Sequence, residues 1–233
     1  MAIKTKAIVL GNINYKEKDK LVDLFTLEEG RLLVSMKGVR GEKAKLKMAK
    51  EPFCFGEFVI EKGKTNIVTQ VEIIDNFYDL TKDIDKYYEA CAILDVVKQI
   101  SSQQDLELFL NIIKALKTIC YENVKKYYVF DKFLINLTNI LGYSFVSDRC
   151  SSCNATLKMA YFDLNKGCLV CPKCKTDSAI KISENCLKDI IFLFKCDYID
   201  LKSENFIKSE KEILKVLALN LEWRVGLKIL KVS

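Results

Sequence analysis

The sequence predicts an α+β, multidomain chain: an N-terminal five-stranded barrel, then an all-α domain that carries a four-cysteine zinc-ribbon insert. Three observations predict it. Six of the nine glycines fall in the first 63 residues, residues 64–141 have none, and residues 53–171 contain no proline. Frequent turns followed by a long unbroken stretch place strands first and helices second. Apolar residues then recur at helical spacing, and two Cys-x2-Cys pairs, Cys150/Cys153 and Cys171/Cys174, stand 17 residues apart.

Strands are expected at 3–10, 21–27, 31–37, 53–61 and 67–77, the fourth broken by Gly56 as a bulge. Turns are expected at Glu28-Glu29-Gly30 and Gly63-Lys64. Five short strands with uneven connections suit a small barrel. The OB-fold is one such barrel; an SH3-like barrel fits the same periodicity.

The segment RLLVSMKGVRGEKAKLKMAK (31–50) holds seven basic residues and one acidic, a surplus of six that equals the net charge of +6 for the whole chain. A chain otherwise near neutral with one concentrated cationic segment presents that segment to an anion. Arg31, Lys37, Arg40, Lys43, Lys45 and Lys47 are the candidate contacts to that anion, which for an OB-fold is the backbone of a single-stranded nucleic acid such as DNA. An extended loop would put Lys43, Lys45 and Lys47 on one side and Leu46 and Met48 on the other. The bland alternative is a solvated loop.

Helices follow. Ile84, Cys91, Leu94, Val97 and Ile100 make an apolar stripe, and Asp105 is placed to cap the next helix. Leu108, Ile112, Ala115, Leu116 and Ile119 form a clear amphipathic face. A third helix is expected from about Val124 to Leu141, ending at Gly142. Charges in 81–149 cancel, nine against nine, so these helices read as packed core, and Tyr127, Tyr128, Phe130 and Phe133 as part of it. Further on, Leu187, Ile190, Ile191 and Phe194 form one face, and Ile213, Leu214, Leu217 and Leu221 another, with Trp223 near the end. The expected domains are 1–80, 81–149 with 179–233, and the insert 150–178.

Each Cys-x2-Cys turn presents two thiolates to one side, and four complete a tetrahedral Zn²⁺ shell. Cys168 is set aside in favour of Cys171 and Cys174, which flank Pro172 in a tight turn. Four cysteine ligands leave no open position, so the zinc is expected to be structural. The other six cysteines are scattered in apolar contexts and read as buried thiols.

The chain has no histidine, which removes the commonest general base. No apolar run approaches a membrane span, and no signal peptide is recognisable, so a cytoplasmic protein is expected. No Gly-rich phosphate loop or carboxylate cluster suggests catalysis; Asp75 and Asp79 read as a solvated turn.

Several segments together resemble RecO, the bacterial recombination-mediator family of DNA repair. They are AIVLGNINYKEKDKLVDLFTLEEGRLLVSMKGVRG (7–41), EPFCFGEFVIEKGK (51–64), LGYSFVSDRCSSC (141–153), GCLVCPKC (167–174) and VGLKILKVS (225–233). The resemblance implies an OB-fold, a helical domain and a zinc insert. It implies binding and annealing of single- and double-stranded DNA, a complex with RecR, and contact with the C-terminal tail of single-stranded DNA-binding protein. It also implies help in loading RecA, reached indirectly. Lys37 and Arg40 match the family's K-G-x-R element. Lys43-Ala44-Lys45 departs from it where a serine is frequent, and some members lack the zinc cysteines, which sets the metal apart from the shared function. The competing expectation is an adaptor whose basic loop binds an acidic protein segment.

Overall fold

The computed structural model describes residues 1–41, 46–100, 103–202 and 209–229. It divides into two compact units, Met1–Lys82 with Val97–Leu110, and Asp83–Val96 with Asn111–Ser233.

The first unit is a closed barrel of β1 (Ala2–Tyr15), β2 (Asp19–Thr26), β3 (Gly30–Met36), β4 (Phe55–Glu61) and β5 (Asn66–Asp75), ordered β1-β2-β3-β5-β4. β3 and β5 pair in parallel and the remaining neighbours antiparallel. That order is the OB-fold's and decides between the two barrels the periodicity left open. Alternate residues point inward: Ala7, Val9, Val22, Leu24, Val34, Met36, Phe58, Ile60 and Val68 make the buried core, as a half-buried pleat requires. β1 runs five residues beyond the expected Leu10. Its register shifts between Val9 and Gly11, a bulge that lets Asn12–Tyr15 keep pairing although their composition reads as loop. The expected bulge at Gly56 is present: the register shifts there against β5, and a Cβ would lie 2.6 Å from the Glu72 carbonyl oxygen.

The described residues between β3 and β4 are folded into turns, not extended. Ala49 N–H donates to Leu46 O and Glu51 N–H to Met48 O. Val39, Leu46 and Ala49 pack on the barrel core while Met48 is 48% exposed. Local i→i+3 bonds bring every third residue inward, which overrides the two-residue alternation expected of an extended loop. The segment is tied down at its far end by Asn12 Nδ2 to Lys50 O (2.9 Å) and Phe53 N–H to Val9 O (3.0 Å). On the outer barrel surface, Phe109 packs its ring 6.1 Å from Phe25 and Phe55. Gly30, at φ +68°, turns β2 into β3 where a Cβ would come within 2.4 Å of the Gln103 backbone.

The second unit contains α1 (Ile84–Ile100) through Val96 and α2 (Leu106–Tyr121) from Asn111, followed by α3 (Tyr128–Ile140). A ribbon of β6 (Ala160–Asp163), β7 (Cys168–Val170) and β8 (Ala179–Ile182) comes next, then α4 (Glu184–Lys195) and α5 (Glu210–Val225). α3 packs against both α4 and α5, burying Phe130, Phe133, Leu134, Ile190, Leu193, Leu217 and Leu221. Tyr128 is buried as expected, whereas Phe194 (38% exposed) and Trp223 (64%) lie outside the core.

Buried polar groups fix the helix ends. Asp105 caps α2 as expected, its Oδ1 accepting from Leu108 N–H at 2.9 Å. α3 begins at Tyr128, later than expected, because Tyr127 is left-handed (φ 69°) and the buried Glu89 carboxylate accepts from Tyr127 N–H (3.0 Å) and Phe130 N–H (2.9 Å). A carboxylate at a helix N-terminus is favoured by both the free N–H groups and the dipole. The buried Lys132 ammonium donates to Leu193 O (2.8 Å) in the last turn of α4, the complementary end. Ser183 caps α4 through Cys186 N–H (3.1 Å) and itself binds Glu212 of α5. In the ribbon, the fully buried Asp163 accepts from Asn165 N–H, Lys166 N–H and the Thr176 hydroxyl. The loop after it passes through Gly167 (φ +61°), where a Cβ would lie 2.2 Å from Nη2 of Arg224 in α5.

Two outcomes are expected. Glu89→Ala leaves two N–H groups of α3 without their acceptor and lowers unfolding free energy by about 2–3 kcal/mol in urea; an unchanged midpoint would refute the capping role. Burial would raise the Asp163 pKa, but its three donors outweigh burial and hold it below the ordinary carboxylate value. Its stabilisation is therefore complete above the unfolded pKa of about 3.9 and is lost as pH falls through the lower folded value. The stability gap between wild type and Asp163→Ala is widest near pH 6 and narrows below about pH 4.

Candidate nucleic-acid interface and metal centre

Two features stand apart from packing: a four-thiol cluster in the ribbon and the cationic end of the barrel. The thiol cluster is built by two turns that the ribbon brings face to face. Cys150 N–H bonds Ala155 O, Asn154 N–H bonds Cys150 O, and Cys174 N–H bonds Cys171 O. These bonds bend each Cys-x2-Cys segment so that both sulfurs emerge on one side. The Sγ atoms of Cys150, Cys153, Cys171 and Cys174 all lie within 4.8 Å of one another, and Cys153 and Cys171 are 3.7 Å apart. A tetrahedral thiolate site with bonds of about 2.3 Å has sulfur–sulfur edges of about 3.8 Å, so the four residues fit a metal ion. Cys168 sits in β7, outside the cluster.

The electrostatics suit the same use. Burial raises the Cys150 pKa, but N–H groups of Cys171, Cys153 and Ser152 outweigh it and bring the thiol to about 6. Hydrogen bonds with Cys153 and Cys171, and then burial, push Cys174 up to about 12. The four thiols lie close enough to share protons, an arrangement a cation displaces with proton release. Elsewhere burial, aided by Asp75, lifts Cys54 to about 12, and burial raises Cys186 and Cys196. These are packing residues with little thiolate character.

At the barrel end, the turn after β3 closes on the β1–β2 turn. Gly38 N–H donates to Asp19 Oδ1 (2.9 Å), Arg40 N–H to Lys18 O (3.1 Å), and Arg40 Nη1 to Glu17 O (2.9 Å) and Lys16 O (3.2 Å). Carbonyl partners orient the Arg40 guanidinium without cancelling its charge. Lys37 and Lys47 are exposed and carry no ion pair among the described residues. Lys43 and Lys45 lie outside the described residues.

Arg31 is placed differently. It grips Asp23 through Nε (2.9 Å) and Nη2 (2.8 Å), and its Nη1 donates to Lys98 O (2.6 Å). The hydrogen bond to Asp23 raises its pKa, and the guanidinium is committed to the fold. Lys50 is buried and paired with Glu51.

The same closure brings in Lys16 and Lys18, both exposed, which the charge count of 31–50 missed; the signal was the alternation in YKEKDK (15–20). Tyr15 beside them is 37% exposed, with Lys16 Nζ 5.2 Å from its ring centroid. Phe53 and Phe55, the other aromatics considered for stacking, are buried at 4% and 7%. Register places Ile13 and Leu33 on the outer face of β1–β3, 62% and 56% exposed.

Comparison with known proteins agrees across both units. The family described as "Recombination protein O N terminal" matches residues 1–77, and "Recombination protein O C terminal" matches residues 81–232. A DNA repair protein RecO of Clostridium novyi is 33% identical over 223 residues, covering 92% of this chain and 86% of the relative. One of Thermoanaerobacter sp. is 30% identical over 206 residues, covering 86% and 83%. One of Caldanaerobacter subterraneus is 29% identical over 201 residues, covering 84% and 81%. With both halves matched and such a relative aligned over most of its length, the chain belongs to the RecO family of DNA repair proteins.

Proposed function

We propose that this chain is a non-enzymatic recombination mediator that binds DNA at the cationic end of its barrel. The observation that carries the reading is the junction of the two turns: Arg40 held across the carbonyls of Lys16 and Glu17, with Lys16, Lys18, Lys37 and Lys47 exposed around it. A guanidinium fixed on a barrel rim by backbone carbonyls meets a phosphate without first being ordered. Lys43 and Lys45 extend the same track in sequence. Tyr15 is the aromatic positioned to stack a base, worth about 1–3 kcal/mol where it occurs. Arg31 supports the β2–β3 hairpin beneath this surface.

As a mediator, the chain holds complementary strands for annealing and helps to load RecA on single-stranded DNA. RecR and the acidic C-terminal tail of single-stranded DNA-binding protein are its protein partners. It works in the bacterial cytoplasm, at the nucleoid, where its cysteines stay reduced. The metal is Zn²⁺, one per chain, held by Cys150, Cys153, Cys171 and Cys174. A closed four-thiolate shell leaves it no position for water, so its role is to hold the ribbon together.

A second reading, an adaptor that binds an acidic and apolar protein segment on the barrel, draws on exposed Ile13 and Leu33 beside the cations. Binding of bare oligonucleotide in the absence of any protein partner separates the two.

The expected behaviour is specific. Fluorescence anisotropy of a single-stranded oligonucleotide across a salt series gives a steep salt dependence. Lys37→Ala with Arg40→Ala weakens binding of all sequences alike and flattens the log–log slope by about 1.4, at about 0.7 per lost phosphate contact. An unchanged affinity and slope would remove these residues from the interface. Elemental analysis finds one zinc per chain. Cys150→Ser with Cys171→Ser abolishes it and lowers the melting temperature, since such sites contribute on the order of 10 kcal/mol to folding; full zinc content in that variant would overturn the assignment.

A further inference from the structure

The ribbon carries a second cationic surface that the barrel reading does not use. Residues 149–181 hold six basic side chains, Arg149, Lys158, Lys166, Lys173, Lys175 and Lys181, against two acids, Asp163 and Asp177. Asp163 is fully buried and bound by its own loop, which leaves Asp177 as the exposed carboxylate. All six cations are exposed. Outside the barrel end, several lysines are neutralised, as in Lys4–Glu57, Lys62–Glu29, Lys126–Asp85 and Lys188–Glu184. None of the six forms an ion pair among the described residues, and Lys166 alone lies near enough to the buried Asp163 carboxylate to help lower its pKa. Uncompensated like charges gathered on about thirty residues repel one another and attract a polyanion.

The geometry concentrates part of this charge on one side. In the β6–β8 ladder Tyr161 stands directly opposite Lys181, so the two side chains share a face. Lys175 Nζ lies 5.0 Å from the Tyr161 ring centroid. The opposite face of the same sheet is core: Ala160, Phe162, Leu169 and Ile182 are buried. On the Tyr161 face Val170 and Asp163 are also buried, so its exposed part is the half-buried tyrosine flanked by Lys181 and Lys175, with Lys173 exposed two residues before Lys175 in the knuckle turn. Four thiolates around a divalent ion bring a formal charge of −2, which halves the surplus of four. Two of those sulfurs, on Cys150 and Cys171, belong to buried residues, while the lysines stand in solvent. An acidic, apolar peptide would need an apolar groove. The exposed large apolar side chain described in this segment is Met159, at 50%, and a nucleic-acid backbone needs no such groove.

We propose that the outer face of the ribbon, Tyr161 with Lys173, Lys175 and Lys181, is a second contact surface for the phosphate backbone of single-stranded DNA. It rests on the reading that the protein binds DNA but not on the barrel residues assigned above. The test is salt-dependent anisotropy with Lys173→Ala/Lys175→Ala/Lys181→Ala, made both in wild type and together with Lys37→Ala/Arg40→Ala, zinc content being measured alongside. Three lost contacts flatten the slope by about 2 in both backgrounds. An unchanged slope in both overturns the proposal and leaves the barrel reading standing. A flattened slope with the ribbon variant alone, and none with the barrel variant, does the reverse. A wild-type chain that binds no oligonucleotide removes both. If the ribbon variant loses its zinc, photocrosslinking of wild type to a bromouracil-substituted strand decides: adducts on the Tyr161 peptide support the surface, and adducts confined to other segments overturn it.

Discussion

β1 pairs with β4 along its first half and with β2 along its second, and the bulge between Val9 and Gly11 is what lets one strand serve both edges. The rest of the barrel follows from that bend. Once β1 holds β2 and β4, the remaining gap lies between β3 and β4, and β5 fills it by running parallel to β3. β3 and β4 are then not neighbours, and the chain between them must cross the end of the barrel. It does so with Val39, Leu46 and Ala49 turned inward as a plug. Of the cations between those anchors, Arg40 and Lys47 are left outside. The position of the charged rim is thus a consequence of strand order, and its rigidity comes from the backbone bonds to the β1–β2 turn.

The second unit meets a different demand. Its helices are joined by segments that leave helix ends inside the protein, where each free N–H or carbonyl would be costly. Side chains distant in sequence supply the partners: Glu89 at the start of α3, Lys132 at the end of α4, Asn111 bridging Phe133 O, Asn136 and the Tyr198 hydroxyl. The ribbon uses the same device in miniature, with Asp163 as its centre. Four clustered thiols and one buried carboxylate together organise a segment whose own apolar core is a handful of side chains.

Much of this was legible before any coordinates. Period-two burial, the glycine distribution and the paired cysteines carry local information, so the five strands, the helices and the clustering of the four cysteines could be read directly. Strand order could not, because it depends on which edges pair. The start of α3 was misplaced because its cap, Glu89, lies 38 residues before Tyr127. The commitment of Arg31 was also hidden in a charge count, although a tight hairpin centred on Glu28-Glu29 sets Asp23 and Arg31 diagonally across the strands. Lys16 and Lys18 were missed because their place beside Arg40 is created by the Arg40 contacts and not by their own segment.

The contact between Gly167 and Arg224 has a dynamic meaning. The Arg224 guanidinium, at the end of a flexible side chain, covers Gly167 and donates to Asn165 O at 3.4 Å. A second link joins the residue that follows the ribbon to the first turn of α5, where Glu212 accepts from the Ser183 N–H and hydroxyl. Native-state opening of the ribbon thus loosens contacts at both ends of the terminal helix, which couples the two. A metal ion held by four cysteines would then slow amide exchange along a helix that contains none of its ligands.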